Sequence, residues 1–562
     1  MASRNLRNQS ILQLLLLLLI LVFVNVVASS LFTRFDFTAE KRYSLSQSSK
    51  KIASDLKDVV SFKIYLDGDL PPAFKRLRNS TRELLDEYRI YAGENIQYEF
   101  IDPSANPDDK ERVQLYKQLN EKGLTPTNLE EKDKSGRSQK LVFPGAIVTY
   151  KSRTVPLQLL KSKIGADPEV MLNNSIEGLE YDITSTLRRI SNDVAQSVTF
   201  LQGQDELNTK QITDIAKGLS EYYNVDTVKI DGKLDALKHY KAVIIAKPLT
   251  AFSEKDKFVI DQFIMHGGRV LWLIDRMEMN MDSLVESSTN IAIANDLNLD
   301  DMLFRYGVRV NPNLILDLQS APIPIVTGMV GNQPKQDLFP WYYFPLFNPI
   351  SKHPIVNNLN AIKGEFVSTI DTVEAENVRK TILLTSSKYS KVQAPPARVS
   401  LNMLQDQPDQ REYNKMYLPV AVLLEGKFRS NFVNRIPESI ATSKEIGFKA
   451  SSDSTKMIVI SDGDIIASHV SKKGTIYPLG YDRYTQQTYG NKNFILNCVD
   501  YLCDDSGILE LRGKEFKLRL LDSSKTSEEA SIGWFNVLSP ILIILLYGIF
   551  RLWFRKRKYG SN

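Results

Sequence analysis

Two long apolar runs near the ends of the chain constrain its fold more than any other feature. Residues 11–27 read ILQLLLLLLILVFVNVV without a charged side chain, and residues 534–554 read WFNVLSPILIILLYGIFRLWF with a single arginine. With its flanking residues, each run is long enough to cross a hydrocarbon layer of about 30 Å as a helix. The sequence therefore predicts transmembrane helices at 11–32 and 532–554.

The charges beside the two runs predict how the chain is oriented. Arg4 and Arg7 precede the first run, and the basic sequence RKRK at 555–558 follows the second. Because positive flanks stay in the cytoplasm, residues 1–10 and 555–562 are expected inside and the block between the runs outside. Alternatively, the first run is a cleaved signal peptide, since small residues follow it. The predicted orientation is the same in both cases.

The composition limits the function classes. The chain has 562 residues, 43% of them hydrophobic, and a formal net charge of +5. Such a chain can bury several cores, and its weak positive charge argues against nucleic-acid binding as its main role. Cys498 and Cys503 lie in one predicted helix, five residues apart and on different sides of it. No disulfide framework and no cysteine-based metal site is expected.

A smaller α/β domain is predicted at residues 33–192. Strand-like runs at 59–67 and 96–103 flank an amphipathic helix at 75–92, and residues 142–160 have the pattern of a β-hairpin. A strand, a crossover helix and a second strand form a right-handed parallel unit. The pattern is thioredoxin-like, but it contains no C-x-x-C motif, so thiol redox chemistry is not expected.

A larger α/β domain is predicted at residues 193–505. The apolar strands SVTFLQG, YKAVIIAKP, RVLWLID and KMIVISDGD alternate with helical segments, which indicates a doubly wound parallel sheet of the glutaminase-like or flavodoxin-like kind. Residues 280–370 interrupt this pattern and are predicted to form an insertion. A polar stalk is expected at 506–531, before the second span.

Motifs for catalysis are absent from this larger domain. A class I glutaminase needs a nucleophile on a sharp turn after a strand and a histidine to activate it. The chain has no G-x-C-x-G, G-x-S-x-G or phosphate-binding GxxxxGK[ST] motif, and its four histidines are scattered. We therefore predict no catalytic residue, no cofactor and no metal site. A degenerate hydrolase that has lost these motifs is an alternative function.

Three charged residues mark the edge of the sheet where α/β proteins bind ligands. Lys247, Asp275 and Asp462 each follow a predicted strand, and carboxyl ends of parallel strands share one edge. A deep polar pocket there would favour solute binding. The plainer interpretation of the Asp462-Gly463-Asp464 sequence is a tight turn.

Two aromatic segments are candidate contact surfaces. The sequence FPWYYFPLF at 339–347 is either the core of the insertion or a partner surface, since aromatic residues are enriched in interfaces. The sequence FDFTAEKRYSLS at 35–46 follows the first span and is expected to form a collar at the membrane. The candidate contact residues are Phe339, Trp341, Tyr342 and Tyr343 in the first segment, and Arg42 and Tyr43 in the second.

Several segments resemble the GldG family of gliding-motility proteins of Bacteroidetes. They are the collar and the sequences VSFKIYLDGDLPPAFKRLRNSTRELLDEY, LNNSIEGLEYDITSTLRRI, HGGRVLWLIDRM and YGNKNFILNCVDYL. The resemblance covers nearly the whole chain. It implies a non-enzymatic accessory subunit of an ABC-type complex in the bacterial inner membrane, with the large domain in the periplasm.

The resemblance also implies partners. They are a polytopic membrane subunit, an ABC-type ATPase contacted indirectly, the lipid bilayer, and periplasmic or envelope proteins; nucleic acid is not among them. It supplies no catalytic residue. The accessory role competes with that of a periplasmic solute-binding component and with that of a degenerate glutaminase-like hydrolase.

Overall fold

The structure is a computed structural model, and it describes residues 14–23, 44–133, 136–161, 168–191, 196–330, 333–357, 359–443, 446–505 and 530–559. The chain divides into two compact units, residues 1–514 and 515–562. Each unit is described separately.

The first α/β domain is built around a four-stranded sheet in the order β2-β1-β5-β6. Strands β1 and β2 are parallel, while β5 is antiparallel to both β1 and β6. The elements are α1 (Gln47–Ser54), β1 (Val60–Ile64), α2 (Pro72–Ala92), β2 (Ile96–Phe100), α3 (Asp109–Glu121), β3 (Thr127–Asp133), β4 (Gly136–Val142), β5 (Gly145–Tyr150), β6 (Arg153–Gln158) and α4 (Pro168–Ser191).

The predicted β-α-β unit and hairpin are confirmed in this domain. Helix α2 links the parallel strands β1 and β2, and β5 pairs with β6 as a hairpin. The core forms because β1 contributes Phe62 and Ile64, and α2 contributes Leu77, Leu85 and Tyr88, all fully buried. These helix residues recur at helical spacing and so share one face.

The second α/β domain contains a seven-stranded sheet in the order β19-β22-β23-β10-β9-β7-β8. Its elements up to the insertion are β7 (Ser197–Gln202), α5 (Thr209–Ser220), β8 (Asn224–Lys229), β9 (Ala242–Ala246), α6 (Glu254–Met265) and β10 (Arg269–Leu273). The elements that follow are β11 (Met277–Glu278), α7 (Met281–Glu286), β12 (Thr289–Ala294), α8 (Asp300–Tyr306), β13 (Val308–Val310), β14 (Leu314–Asp317), β15 (Ser320–Val330), β16 (Gln333–Phe347), β17 (Ile362–Lys363), β18 (Ile370–Thr372), β19 (Val378–Thr385), β20 (Ser390–Gln393), β21 (Ala397–Ser400), β22 (Pro419–Arg429), α9 (Glu438–Ala441), β23 (Ser451–Ile460), β24 (Tyr481–Asp482), β25 (Gln487–Thr488) and α10 (Asn491–Cys503).

The sheet is mixed, which corrects the prediction of a wholly parallel sheet. Strands β7, β8, β9, β10 and β23 are parallel to one another, whereas β22 is antiparallel to both β23 and β19. The reversal has a topological reason. Strand β19 ends at the carboxyl edge, and the described residues 386–418 contain no α-helix that crosses back before β22 begins. A parallel arrangement would need such a crossover.

Helices cover both faces of this sheet. On β9, Ile244 packs with α5 and α10 on one face, while Val243 and Ile245 pack with α6 on the other. The strand is therefore buried on both sides, which explains why its sequence is continuously apolar. Helix α5 begins at a capping box, in which the Asn208 side chain accepts hydrogen bonds from the amides of Lys210 and Gln211.

The insertion forms small sheets of its own and draws on two segments of the chain. The sheet order β15-β16-β17 and the pair β13-β18 come from residues 308–372. Strands β20 and β21, in the later segment 386–418, pair with β14 and β12 of the first segment. The second segment was not part of the predicted insertion at 280–370.

The second unit is described through helix α11 (Ala530–Tyr559). Within the described residues, one stretch, Val537–Arg557, is long and apolar enough to cross a membrane. Residues Leu14–Phe23 form a shorter apolar helix. The rest of the first predicted span, at 11–13 and 24–32, lies outside the described residues, and so does most of the predicted stalk.

Candidate functional site

The three charged residues predicted at the sheet edge lie close together in the structure. Strands β9, β10 and β23 are adjacent and parallel, and Lys247, Asp275 and Asp462 follow them at the carboxyl edge. The Lys247 Nζ atom lies 3.1 Å from Asp275 Oδ2 and 2.5 Å from Asp464 Oδ2. We call Lys247, Asp275, Asp462 and Asp464 the ion cluster.

The backbone brings these groups together through a close approach. Lys247 has a φ of +55°, in the left-handed region that is uncommon for residues other than glycine. A Cβ atom at Gly463 would lie 2.5 Å from the Cβ of Lys247. Glycine at 463 therefore lets the chain pass beside Lys247 after β23, and a 3₁₀ turn, Asp464–Ile466, begins directly after this glycine.

The carboxylates of the ion cluster also accept backbone hydrogen bonds. Asp462 accepts from the amide of Asp464 at 2.8 Å through Oδ1, and from the amide of Glu365 at 3.0 Å through Oδ2. Asp275 accepts from the amide of Gly463. These bonds tie the turn after β23 both to the end of β10 and to the insertion.

Burial and mutual charge perturb the ionisation of the ion cluster. Burial raises the pKa of Asp462 well above its usual range, and the charges of Asp275 and Asp464 add to the effect. Burial also raises the pKa of Asp464 to about 7, against the opposing charge of Lys247. Burial disfavours the charged form of Lys247, but Asp275 and Asp464 outweigh it and raise the pKa of the ammonium.

The ion cluster therefore has the properties of an internally compensated charge network. Lys247 pairs with two carboxylates, so its ammonium stays protonated and does not serve as a nucleophile or base at neutral pH. Among the described residues, no group of three or more His, Cys, Asp or Glu side chains is placed to hold a metal ion.

A small polar pocket adjoins the ion cluster and shares Asp464 with it. Its volume is about 120 Å³. The β24–β25 hairpin supplies Asp482 and Arg483, and the insertion supplies Lys363 and Glu365. The other lining residues are Ala467, His469, Tyr477, Pro478, Leu479, Gly480, Tyr481, Tyr484, Tyr489 and Asn491. We call this cavity the sheet-edge pocket.

The sheet-edge pocket contains residues that the sequence did not single out. Lys363 Nζ lies 2.8 Å from Glu365 Oε1 and 4.5 Å from the centre of the Phe344 ring. Burial alone would lower the pKa of Lys363, but the Glu365 carboxylate raises it. Lys363 and Glu365 lie about a hundred residues from Asp464 in sequence, so no local motif marks them.

A larger groove of about 1300 Å³ lies between helix α4 and the elements α5 and α10. Charged side chains along it pair with each other: Lys161 Nζ lies 2.8 Å from Asp182 Oδ2, and Arg188 lies 2.5 Å from Asp504 Oδ1. The first pair lies within the first α/β domain and the second joins it to the second domain, and we assign the groove no ligand.

The aromatic cluster in the insertion is buried, which agrees with the first of its two interpretations, the core of the insertion. Trp341, Tyr342 and Tyr343 lie in the insertion core, and Phe339 is half-buried on β16. The Tyr343 hydroxyl donates to Gln393 Oε1 at 2.6 Å. The alternative of a buried core therefore holds for the cluster, because both segments of the insertion close around it. Arg42 and Tyr43, the other predicted contact residues, lie outside the described residues.

Both cysteines and two of the four histidines are packed against other side chains. Cys498 and Cys503 are buried, and burial raises the pKa of both thiols. His353 packs against the Tyr501 ring at 5.0 Å, and His469 against Tyr477 at 5.8 Å. A buried thiol with a raised pKa is a poor nucleophile.

Comparisons with known proteins cover most of the chain. Residues 195–498, more than half of its length, match a family described as an ABC-type uncharacterized transport system, ABC_transp_aux. Residues 39–149 match a domain of unknown function, DUF7088. An uncharacterized protein of Borreliella burgdorferi is 21% identical over 559 residues, with 97% of both chains covered.

Among solved structures, the mmIFT52 N-terminal domain matches 55% of this chain and 97% of its own length, at 13% identity and a TM-score of 0.31. This similarity is too low to support an argument about fold or function.

Proposed function

Because the chain belongs to the ABC_transp_aux family of ABC-type transport system auxiliary proteins, we propose that it is a non-enzymatic accessory subunit of an ABC-type membrane complex. In this role it links a polytopic membrane subunit, and through it a cytoplasmic ATPase, to periplasmic or envelope machinery. The observation that carries the proposal is the family match over residues 195–498. The apolar helix α11 supports attachment to a membrane.

The chemistry of the large domain supports a role without catalysis. The ion cluster is compensated internally, and both thiols are buried. We propose further that the two α/β domains are thioredoxin-like and glutaminase-like frameworks that serve assembly. The order β2-β1-β5-β6 supports the first, and the helices on both faces of the seven-stranded sheet support the second.

Affinity purification tests the proposed complex. We expect the intact protein, tagged and extracted from membranes in mild detergent, to retain an ABC-type ATPase and a polytopic membrane protein identified by mass spectrometry. An unrelated tagged membrane protein of similar abundance is the control. Recovery of neither subunit, or equal recovery with the control, would contradict the proposal.

We propose gliding motility as the process that this complex serves. The support is the resemblance of the collar and of the segments at 172–190 and 489–502 to the GldG family. In the native host, deletion of the gene is expected to abolish spreading on agar without slowing growth in liquid culture. The intact gene, supplied in trans, should restore spreading. Normal spreading of the deletion strain would refute this assignment while leaving the membrane complex unaffected.

Solute binding is the second candidate function. The sheet-edge pocket favours it, since α/β proteins bind ligands at the carboxyl edge of the sheet. A volume of about 120 Å³ limits any such solute to a small molecule.

A further inference from the structure

The sheet-edge pocket offers charges of both signs to a ligand. Of its three carboxylates, Glu365 pairs with Lys363, and Asp464 pairs with Lys247. Asp482 and Arg483 make no ion pair with any residue in the described ranges. These two residues, adjacent in the chain, therefore present a negative and a positive charge at the same pocket without a direct ion pair. The charges of Lys363 and Asp482 interact only over a longer distance.

The bonding of Asp482 leaves one of its oxygens for a ligand. Its Oδ1 atom accepts hydrogen bonds from the amides of Tyr484 and Thr485, at 2.8 and 3.0 Å. The other oxygen, Oδ2, has no hydrogen bond to a described residue. The residue is only 9% exposed, so a cation that reaches Oδ2 comes from the pocket. A buried carboxylate favours such a charged donor strongly.

Arg483 is exposed beside Asp482 and lies near the opening of the pocket. Its guanidinium carbon lies 4.6 Å from the centre of the Tyr484 ring and the group donates to the Tyr484 hydroxyl. This contact orients the planar guanidinium and leaves further N–H donors for a carboxylate, which arginine binds through two parallel hydrogen bonds.

Aromatic rings and neutral groups complete the lining. The Tyr477 and Tyr481 rings stack with centres 6.0 Å apart, and ring faces attract ammonium groups. Burial, together with the charge of Arg483, lowers the pKa of His469, so the imidazole is neutral at pH 7. The histidine therefore adds no positive charge that would repel an ammonium.

We propose that the sheet-edge pocket binds a small zwitterion of the amino-acid class, with its ammonium group at Asp482 and its carboxylate at Arg483. The volume of about 120 Å³ suits a ligand the size of alanine or serine. This inference rests on the second candidate function, solute binding at the same pocket, and adds the class of the ligand. It is independent of the accessory role, because it is argued from the geometry of the pocket.

Matched probes test the recognition of both charges. With the full-length protein in detergent, we expect isothermal titration calorimetry to show binding of L-alanine. Ethylamine lacks the carboxylate and propionate lacks the ammonium group, and each should bind at least about tenfold more weakly. Glucose serves as a neutral polyhydroxyl probe. Tighter binding of glucose than of L-alanine, or no binding of L-alanine at about 10 mM, overturns the proposal.

Two substitutions locate the site. Asp482→Asn keeps an oxygen acceptor for the two backbone amides but removes the charge, and should weaken L-alanine binding about tenfold or more. Arg483→Gln should weaken the binding of L-alanine as well. This variant tests the site if the Asp482→Asn variant fails to fold. Asp406→Asn, at an exposed carboxylate, is the matched control. Unchanged affinity in the folded Asp482 or Arg483 variants would show that the ligand does not bind here. If the purification experiment recovers no ATPase and no polytopic subunit, the accessory role fails, but the binding of L-alanine measured here is unaffected.

Discussion

Replacing Lys247 by methionine is expected to destabilise the second α/β domain by about 3–5 kcal/mol. The substitution keeps the length of the side chain but removes the cation that pairs with both Asp275 and Asp464. Two carboxylates would then face each other, with the buried Asp462 nearby, without this counter-charge. Removing one partner of a buried ion pair costs more than the pair contributes, because the remaining charge stays desolvated.

The destabilisation should depend on pH in a defined direction. Asp462 and Asp464 have higher pKa values in the folded protein than an aspartate has in the unfolded chain. The folded protein therefore binds more protons than the unfolded chain, and its stability decreases as the pH rises. For Asp464, the destabilising contribution is fully present above its folded pKa of about 7 and is lost as the pH falls toward the ordinary value near 4. The Lys247→Met defect should therefore be larger at pH 8 than at pH 5.

Thermal unfolding followed by circular dichroism measures this effect. Lys233→Met, at an exposed lysine, is the matched control and should leave the unfolding temperature nearly unchanged. The double variant Lys247→Met/Asp464→Asn should regain part of the lost stability, since it removes one of the unpaired carboxylates. Equal stability of the two lysine variants would show that the ion cluster does not stabilise the domain. A defect that does not change between pH 5 and 8 would contradict the titration of Asp464 described above.

The sequence predicted the ion cluster because its residues follow easily recognised strands. Strands β9, β10 and β23 are buried on both faces, so their sequences are continuous apolar runs. Once three such strands are taken as parallel, their carboxyl ends must share an edge, and the residues that follow them must lie close together. Lys247, Asp275 and Asp462 were therefore placed together by geometry alone.

The sheet-edge pocket and the reversed strand could not be predicted in the same way. Lys363 and Glu365 come from the far end of the insertion, and Asp482 comes from a hairpin of two-residue strands. Their positions depend on contacts between residues distant in sequence. The direction of β22 depends likewise on where residues 386–418 pack, and its apolar sequence would suit either direction.

The aromatic cluster shows a related limit of sequence patterns. The aromatic composition of FPWYYFPLF predicts that the segment packs against other residues, but it does not distinguish a core from a partner surface. The structure decides in favour of the core, since two separate segments of the insertion enclose the cluster.

Replacing Trp341 by alanine separates a core role from a partner-contact role. The side chain is fully buried, with its ring centre 5.2 Å from that of Tyr343. Truncation should leave a cavity and destabilise the protein by about 3–5 kcal/mol. Leu338→Ala is the control, because Leu338 lies three residues away on the same strand with 48% of its surface exposed. It should change stability by less than about 0.5 kcal/mol.

A second substitution at the same position sharpens the test. The indole N–H of Trp341 is buried and has no hydrogen-bond partner in the described part of the chain. Trp341→Phe therefore removes an unsatisfied donor along with part of the ring, and should cost much less than Trp341→Ala. A residue that contacts a partner would behave differently: Trp341→Ala would unfold at the same temperature as the native protein and would lose the polytopic subunit on purification. That result would show that the cluster contacts a partner. A large fall in the unfolding temperature of Trp341→Ala, with a much smaller fall for Trp341→Phe, would show that the cluster belongs to the core of the insertion.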